Sequence, residues 1–233
     1  MRLTRRLLTL LFAPLLALIL APALGTGSAF AVPQVKTISI ADARSLPVGT
    51  VVTVAGSVTT PSGAFESSFG DKGFGLQDKT AGIYVSLQSD VHAYPRQRAH
   101  ITGTLRDSSG LLTLVPADPS DVELGHKGRA VKPERVGTAA VSEATEGRLV
   151  KVVGRITQGP TSDLPYGYKL SVDDGSGPVQ VFVNVQTGID VSSLRLGQTV
   201  RVVGFSSQFG THYEIDPRSP HDIAALEKVV QPL

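Results

Sequence analysis

An internal repeat constrains this chain more than any other feature, since a unit that occurs twice must close its own core within half the length. VVTVAG at 51–56 is answered by LVKVVG at 149–154, an offset of 98 residues, and each block is followed by one residue and then a β-branched one, Val58 or Ile156. GLQDKTAGIYV at 75–85 matches SVDDGSGPVQV at 171–181 at an offset of 96. AHITG at 99–103 matches VRVVG at 200–204, and PSDV at 119–122 matches PHDI at 220–223, both at an offset of 101. Four blocks keep their order while the offset drifts by a few residues, which loops tolerate and strands do not. The chain therefore reads as two tandem modules, residues 36–126 and 136–226, followed by a tail at 227–233. The linker at 127–135 lies inside LGHKGRAVKPERV, where glycine, proline and charge replace apolar alternation.

Within each copy the pattern is that of β-structure. Val52 and Val54 alternate with Thr53 and Ala55, and Val150 and Val152 with Lys151 and Val153, so the even positions form the expected core face. Gly56 and Gly154 interrupt apolar runs, where a glycine marks a bulge or a barrel corner. QDKTAG and DDGSG carry turn chemistry, with acids that hold local side-chain turns and glycines that supply positive φ. Ile83, Val85 and Leu87 then continue a period-two inward face, as do Val179, Val181, Val183 and Val185. One short helix is expected within ISIADARSL at 38–46, and no long amphipathic helix elsewhere. The expected fold class is all-β, two tandem five-stranded Greek-key barrels.

The N-terminus reads differently. Arg2, Arg5 and Arg6 precede the apolar run LLTLLFAPLLALILAPAL at 7–24, and Ala29-Phe30-Ala31 supplies a small-x-small site. This predicts a signal peptide at 1–31, cleaved after Ala31, and hence a secreted or periplasmic protein without stable membrane insertion once processed. The alternative is an uncleaved anchor, because the run approaches the ~18 to 20 residues that span a bilayer; Pro14 and Pro22 interrupt it and favour cleavage. TRRLL at 4–8 weakly resembles a twin-arginine signal, which leaves both export routes open. Without the signal, the 22 Lys+Arg fall to 19 against 20 Asp+Glu. The processed chain is then close to neutral, and the sequence pI of 8.9 belongs largely to the segment removed. The absence of cysteine excludes disulfides, thiol nucleophiles, cysteine-bound zinc and lipoprotein attachment, so the cores must supply the stability.

The run from ISIADARSLPVGTVVTVAG through GFGLQDKTAGIYV to ITGTLRDSSGLLTLVP resembles the OB-fold modules of secreted bacterial proteins, often found beside extracellular nucleases. GRLVKVVGRI with KLSVDDGSGPVQVFV resembles the nucleic-acid-binding OB-folds of the tRNA-anticodon type. The resemblance implies a ligand held across strands two and three, aided by the loops that join strands one to two and four to five. A barrel of this kind hosts many ligands, so the residues of the site must decide.

Catalytic signatures are scarce. There is no HExxH, no Walker lysine loop and no nucleotide-binding GxGxxG, and the five histidines, His92, His100, His126, His212 and His221, include no i, i+4 pair. Asp173 and Asp174 suit a turn between strands and lack the ligand count of a calcium loop. GDKGFG at 70–75 has no following helix to present its N-terminus to a phosphate. The sequence predicts a protein that is not an enzyme, with no catalytic residues, no cofactor and no metal.

What remains is a binding face. Placing the apolar parity inward leaves Lys151 and Arg155 outward on strand one of the second copy, Lys169 and Ser171 on strand two, and Gln180, Phe182 and Asn184 on strand three. An outward aromatic among cations suits base stacking combined with phosphate attraction. Tyr166 and Phe209 extend that platform from loops. In the first copy Thr53 and Ser57 stand where the strand-one cations would be, leaving Tyr84 with Phe65 and Phe69. The opposing reading has the neighbouring copy cover Phe182, with exposed cations serving solubility and edge protection. Near-neutral charge agrees with it, because sequence-independent affinity for nucleic acid rests on phosphate neutralisation. The expected partner is single-stranded or otherwise accessible nucleic acid, bound by the second module, or an extracellular nuclease to which this chain is an accessory. The alternative is an envelope or extracellular adaptor that holds a protein or glycan.

Overall fold

Residues 36–226, apart from Phe69, are described by a computed structural model. The expected signal peptide, its cleavage site, Phe69 and the tail lie outside the described residues. The first half of the chain forms one sheet from β1 (Thr37–Ile38), β2 (Val51–Val58), β3 (Phe74–Gln77), β4 (Gly82–Val85), β5 (Gln97–Ser108), β6 (Leu111–Val115) and β7 (Val122–Lys127). A five-residue helix, α1 (Ile40–Arg44), sits between β1 and β2. The second sheet contains β8 (Glu134–Arg135), β9 (Leu149–Asp163), β10 (Gly167–Asp173), β11 (Val179–Asn184), β12 (Thr199–Phe209), β13 (His212–Asp216) and β14 (Ile223–Ala225).

Both sheets close on themselves. The order β2-β3-β4-β6-β5 is sealed by pairing of β2 with β5, and β9-β10-β11-β13-β12 by pairing of β12 with β9. In each ring the third and fifth strands run parallel, β4 with β6 and β11 with β13, and the other ring pairs run antiparallel. This is the five-stranded Greek-key barrel, made twice. The repeat holds at the level of single pairs: Gly56 faces Ala99 as Gly154 faces Val200, and Tyr84 faces Thr113 as Gln180 faces Glu214.

Gly56 and Gly154 mark corners. Up to Ser57, β2 pairs with β5, and at Ser57 and Val58 it pairs with β3; β9 passes in the same way from β12 to β10 around Arg155. A strand serving two neighbours must bend, and a Cβ at the bend would meet the backbone it crosses: Gln77 O at 2.8 Å from Gly56, Asp173 O at 2.7 Å from Gly154. The register irregularities of the second barrel fall further along, between Lys169 and Val172.

Each barrel encloses its own core. Val52, Val54, Leu76, Ile83, Ile101 and Leu114 fill the first, and Val150, Val152, Leu170, Val181, Val202 and Ile215 the second. Burial of such side chains from water is the main stabilising term, worth roughly 1.5–3 kcal/mol for each fully buried Val, Leu or Ile. The helix α1 contributes Ile40 and Ala43 to the first core. Ser39 caps it by accepting the Asp42 N–H, and Asp78 on the β3–β4 turn accepts the Ile40 N–H at 2.9 Å. A third apolar cluster belongs to neither barrel alone, because Ala64, Phe65, Tyr84 and Leu111 of the first half gather around Phe205 of the second. No helix among the described residues is long and apolar enough to cross a membrane.

Candidate functional site

The β10–β11 face of the second barrel carries the expected platform in part. Lys169 and Phe182 are direct partners across the two strands, and the Lys169 ammonium stands 5.7 Å from the centre of the Phe182 ring. Gly167, two residues before Lys169 on β10, has no side chain to block the ring: a Cβ there would lie 3.0 Å from Phe182 Cζ. Lys169 also pairs with the Asp163 carboxylate at 2.8 Å, both groups being part-exposed, so it is positioned rather than strongly held. Ser171 and Gln180 form the adjoining pair on the same face.

Tyr166, 61% exposed, projects from the β9–β10 turn; its N–H donates to Asp163 O and its carbonyl accepts the Val185 N–H. Phe209, 67% exposed, closes the β12–β13 hairpin opposite His212. The registers put them at opposite ends of the platform. Gly167 beside Tyr166 pairs with Asn184, whereas Glu214, two residues from His212, pairs with Gln180. Six residues of β11 give roughly 17 to 20 Å between those ends.

The expected cations do not all gather here. Lys151 lies between Val203 on β12 and Arg135 on β8, and Arg155 lies between Thr199 on β12 and Asp173 on β10. Lys169 pairs with Thr161, ten residues beyond Lys151 along β9, or about 30 Å of strand. Lys151 therefore belongs to the β9–β12 side of the barrel and is not part of the stacking platform, and Arg155 stands at the corner. The alternation that points both side chains outward is right, but β9 turns at Gly154 and carries them onto different surfaces. Asn184, expected outward, is buried at the end of β11.

Tyr84 corrects the expectation for the first barrel. Its ring is 1% exposed, its hydroxyl donates to Phe65 O at 2.8 Å, and it meets Phe205 edge-on with centroids 5.8 Å apart. Phe65 lies 5.5 Å from Phe205 in the same cluster. The reason is that the first barrel's β3–β4 face is occupied by the second barrel. A Cβ on Gly75 would meet Phe205 at 2.9 Å, and the Gly82 and Gly147 backbones touch with no room for a side chain on either. Gln77 Oε1 accepts the Leu149 N–H at 2.9 Å, and Arg44 reaches Glu143 and Glu146 at 2.7 and 3.1 Å. The signal was present in the sequence: Gly75 and Gly82 stand at outward positions of short strands, where a missing side chain marks the close approach of another backbone.

Two acids that sequence reasoning passed over border the platform. Glu214 lies beside Gln180, which donates to its carboxylate, and Asp216 follows on the same face of β13. Burial pushes the Glu214 carboxyl above the usual range. Burial and then the Glu214 charge push Asp216 well above it. On the β10–β11 turn the Asp173 and Asp174 carboxylates are spent on local bonds, to Gly175 and Gly177 N–H and to Ser176 and Thr138. Among the described residues no three His, Asp or Glu side chains converge as a metal-binding group.

No family model matches the chain. Over 211 residues, 86% of this chain, it is 25% identical to Endonuclease YhcR of Bacillus subtilis (strain 168), and it spans 17% of that protein's length. Among solved structures, a murine DNA binding protein bound with double-stranded DNA is similar with a TM-score of 0.40 and 14% identity, over 77% of this chain and 99% of that one. The OBody AM1L10 bound to hen egg-white lysozyme has a TM-score of 0.34 and 21% identity, over 42% of this chain and all of that one. The chain is thus an all-β protein of two closed barrels with distant sequence similarity to a segment of one endonuclease.

Proposed function

We propose that this chain is an exported, non-catalytic binding protein that holds single-stranded nucleic acid on the open β10–β11 face of its second barrel, as an accessory to an extracellular nuclease. The observation that carries the reading is the pairing of Lys169 with Phe182 on a strand face flanked by the exposed Tyr166. A flat ring offers a surface to any base, and the neighbouring ammonium attracts the phosphate that accompanies it. Occupation of the equivalent face in the first barrel supports assigning the ligand to the second. Similarity to a segment of an endonuclease supports the ligand class and the association. The signal-like segment at 1–31 supports export.

Fluorescence anisotropy of a labelled oligonucleotide, titrated with the full chain at several salt concentrations, tests this. Phe182→Ala should weaken binding by on the order of 10- to 100-fold, the worth of one stacked base, with the salt slope nearly unchanged. No association of the wild type at low salt would remove nucleic acid and favour a second reading, an adaptor for a protein surface. That reading has its own support, since the first barrel already uses this face to hold protein.

A further inference from the structure

The first barrel loses its β3–β4 face to the second, but it has another concave surface. A cleft of about 1100 Å³ opens where the chain leaving β7 passes over the outer side of β2 and β5. Its floor is made of small residues, Ala55, Gly56 and Ala99, and its walls carry Lys79 from the β3–β4 turn, Arg98 from β5 and Arg129 from the covering segment. All three cations are exposed, and none forms an ion pair among the described residues. Ser57 Oγ accepts one Arg98 N–H at 3.3 Å and leaves the other donors of the guanidinium available.

Two acids border the same cleft: Asp78 is engaged by its own turn, and Glu123 stays largely exposed beside His100, a pairing that is ionic only when the imidazole is protonated. Asp78 accepts the N–H groups of Thr80, Ala81 and Ile40, which holds its carboxylate to the turn; Glu123 faces His100 at 3.8 Å. The covering segment is tied down by the Gly128 N–H donating to Arg96 O at 2.7 Å, with Arg96 Nε donating to Gly128 O in return. It brings Lys127, Arg129 and Lys132 past the opening with no acid among them. Leu149 is bonded to Gln77 on the cleft's rim, and Lys151 lies two residues further along that strand, beside Arg135.

We propose that the cleft is a separate nucleic-acid site that grips the phosphodiester backbone and does not stack bases. It takes its ligand class from the reading above and adds a second place and a second mode of binding. No Phe, Tyr or Trp lines the cleft, and its one imidazole, His100, is held between Thr37 Oγ1 at 2.8 Å and the Glu123 carboxylate at 3.8 Å, so bases find no broad platform to stack on, while unpaired cations over a floor of small residues admit a phosphate chain closely. A backbone-gripping site accepts paired and unpaired strands alike, whereas the Phe182 platform needs bases that are free to unstack.

The test uses the full chain with Lys79, Arg98 and Arg129 all changed to Ala, the Phe182→Ala chain and the wild type. Each is titrated by anisotropy against a labelled single strand and against its blunt duplex over a salt series. Wild type should bind both. The triple variant should lose at least tenfold on the duplex, and its salt slope should fall by about 3 on the duplex and about 2 on the single strand, because three phosphates are no longer neutralised. Phe182→Ala should weaken the single strand alone. A wild type that ignores duplex, or a triple variant with wild-type affinity and slope on both ligands, overturns the cleft site. If the triple variant is unchanged while Phe182→Ala fails on the single strand, the platform stands and the cleft falls. The reverse pattern keeps the cleft and removes the platform. Thermal melts matched to wild type establish that the three exposed substitutions leave the fold intact.

Discussion

Phe205→Ala should lower the melting temperature by roughly 10 °C and bring one late-titrating tyrosine back toward its neighbours. Phe205 is fully buried, yet it fills neither barrel core: it packs on Phe65, Tyr84 and the bare Gly75 of the other barrel. Removing a buried Phe typically costs about 3–5 kcal/mol, which in a protein of this size is about 2–4 °C per kcal/mol. The optical consequence is specific. Burial, and then the nearby charges of Asp71 and Asp216, push the Tyr84 hydroxyl well above the ordinary phenol value of 10.0, because ionising it would place a charge between two barrels. The chain has no Trp and five Tyr, so absorbance near 295 nm can follow tyrosine ionisation directly. Wild type should show one tyrosine that ionises only at the alkaline end. In Phe205→Ala, water reaching the cavity should lower that value. A normal early titration of all five in wild type would contradict the buried position of Tyr84.

Gly147→Ala should cost about 2–5 kcal/mol although it adds a single methyl group. Gly147 has a φ of +79°, so any L side chain there meets the left-handed penalty of about 1–2 kcal/mol. Its Cβ would also point into the Gly82 carbonyl and lie 2.7 Å from Ile83 N. Backbone atoms cannot rotate away, so the barrels must separate along this seam, adding the typical 1–3 kcal/mol of overpacking. Gly188→Ala is the matched control, since Gly188 has a φ of +64° with nothing within 4 Å of its Cβ. Denaturant unfolding of the two variants should differ by the cost of the close approach alone. Equal losses would mean that the Gly82–Gly147 approach contributes nothing beyond backbone conformation.

The barrels themselves were legible because their signals are periodic and repeated. Alternation at Val52, Val54, Val150 and Val152 sets the inward face, and matching offsets carry one copy's strand pairs onto the other's. What lies beyond an outward side chain is another matter. Alternation says that Tyr84 leaves the first core, but a second surface can be waiting outside, and here it is. Gly75 and Gly82 held that information, since an outward position without a side chain is where another backbone can come close. Lys151 failed for a different reason. Side-chain parity survives a bend, whereas the surface a side chain joins does not, and Gly154 bends β9 between Lys151 and Lys169's partner Thr161. Lys169 and Phe182 lie on adjoining strands of one face, so for them parity and position coincide.

Single-stranded nucleic acid on the second barrel's β10–β11 face, with the first barrel's matching face closed by protein, is an arrangement that photo-cross-linking reads residue by residue. An oligonucleotide carrying 5-bromouracil is irradiated with the full chain and the attached peptides are identified by mass spectrometry, since a halogenated base couples most readily to an aromatic ring on which it stacks. Adducts are expected at Phe182 and Tyr166, lost from position 182 in Phe182→Ala. Adducts at Tyr84 or elsewhere within 74–85, with none on β10 or β11, would contradict that arrangement.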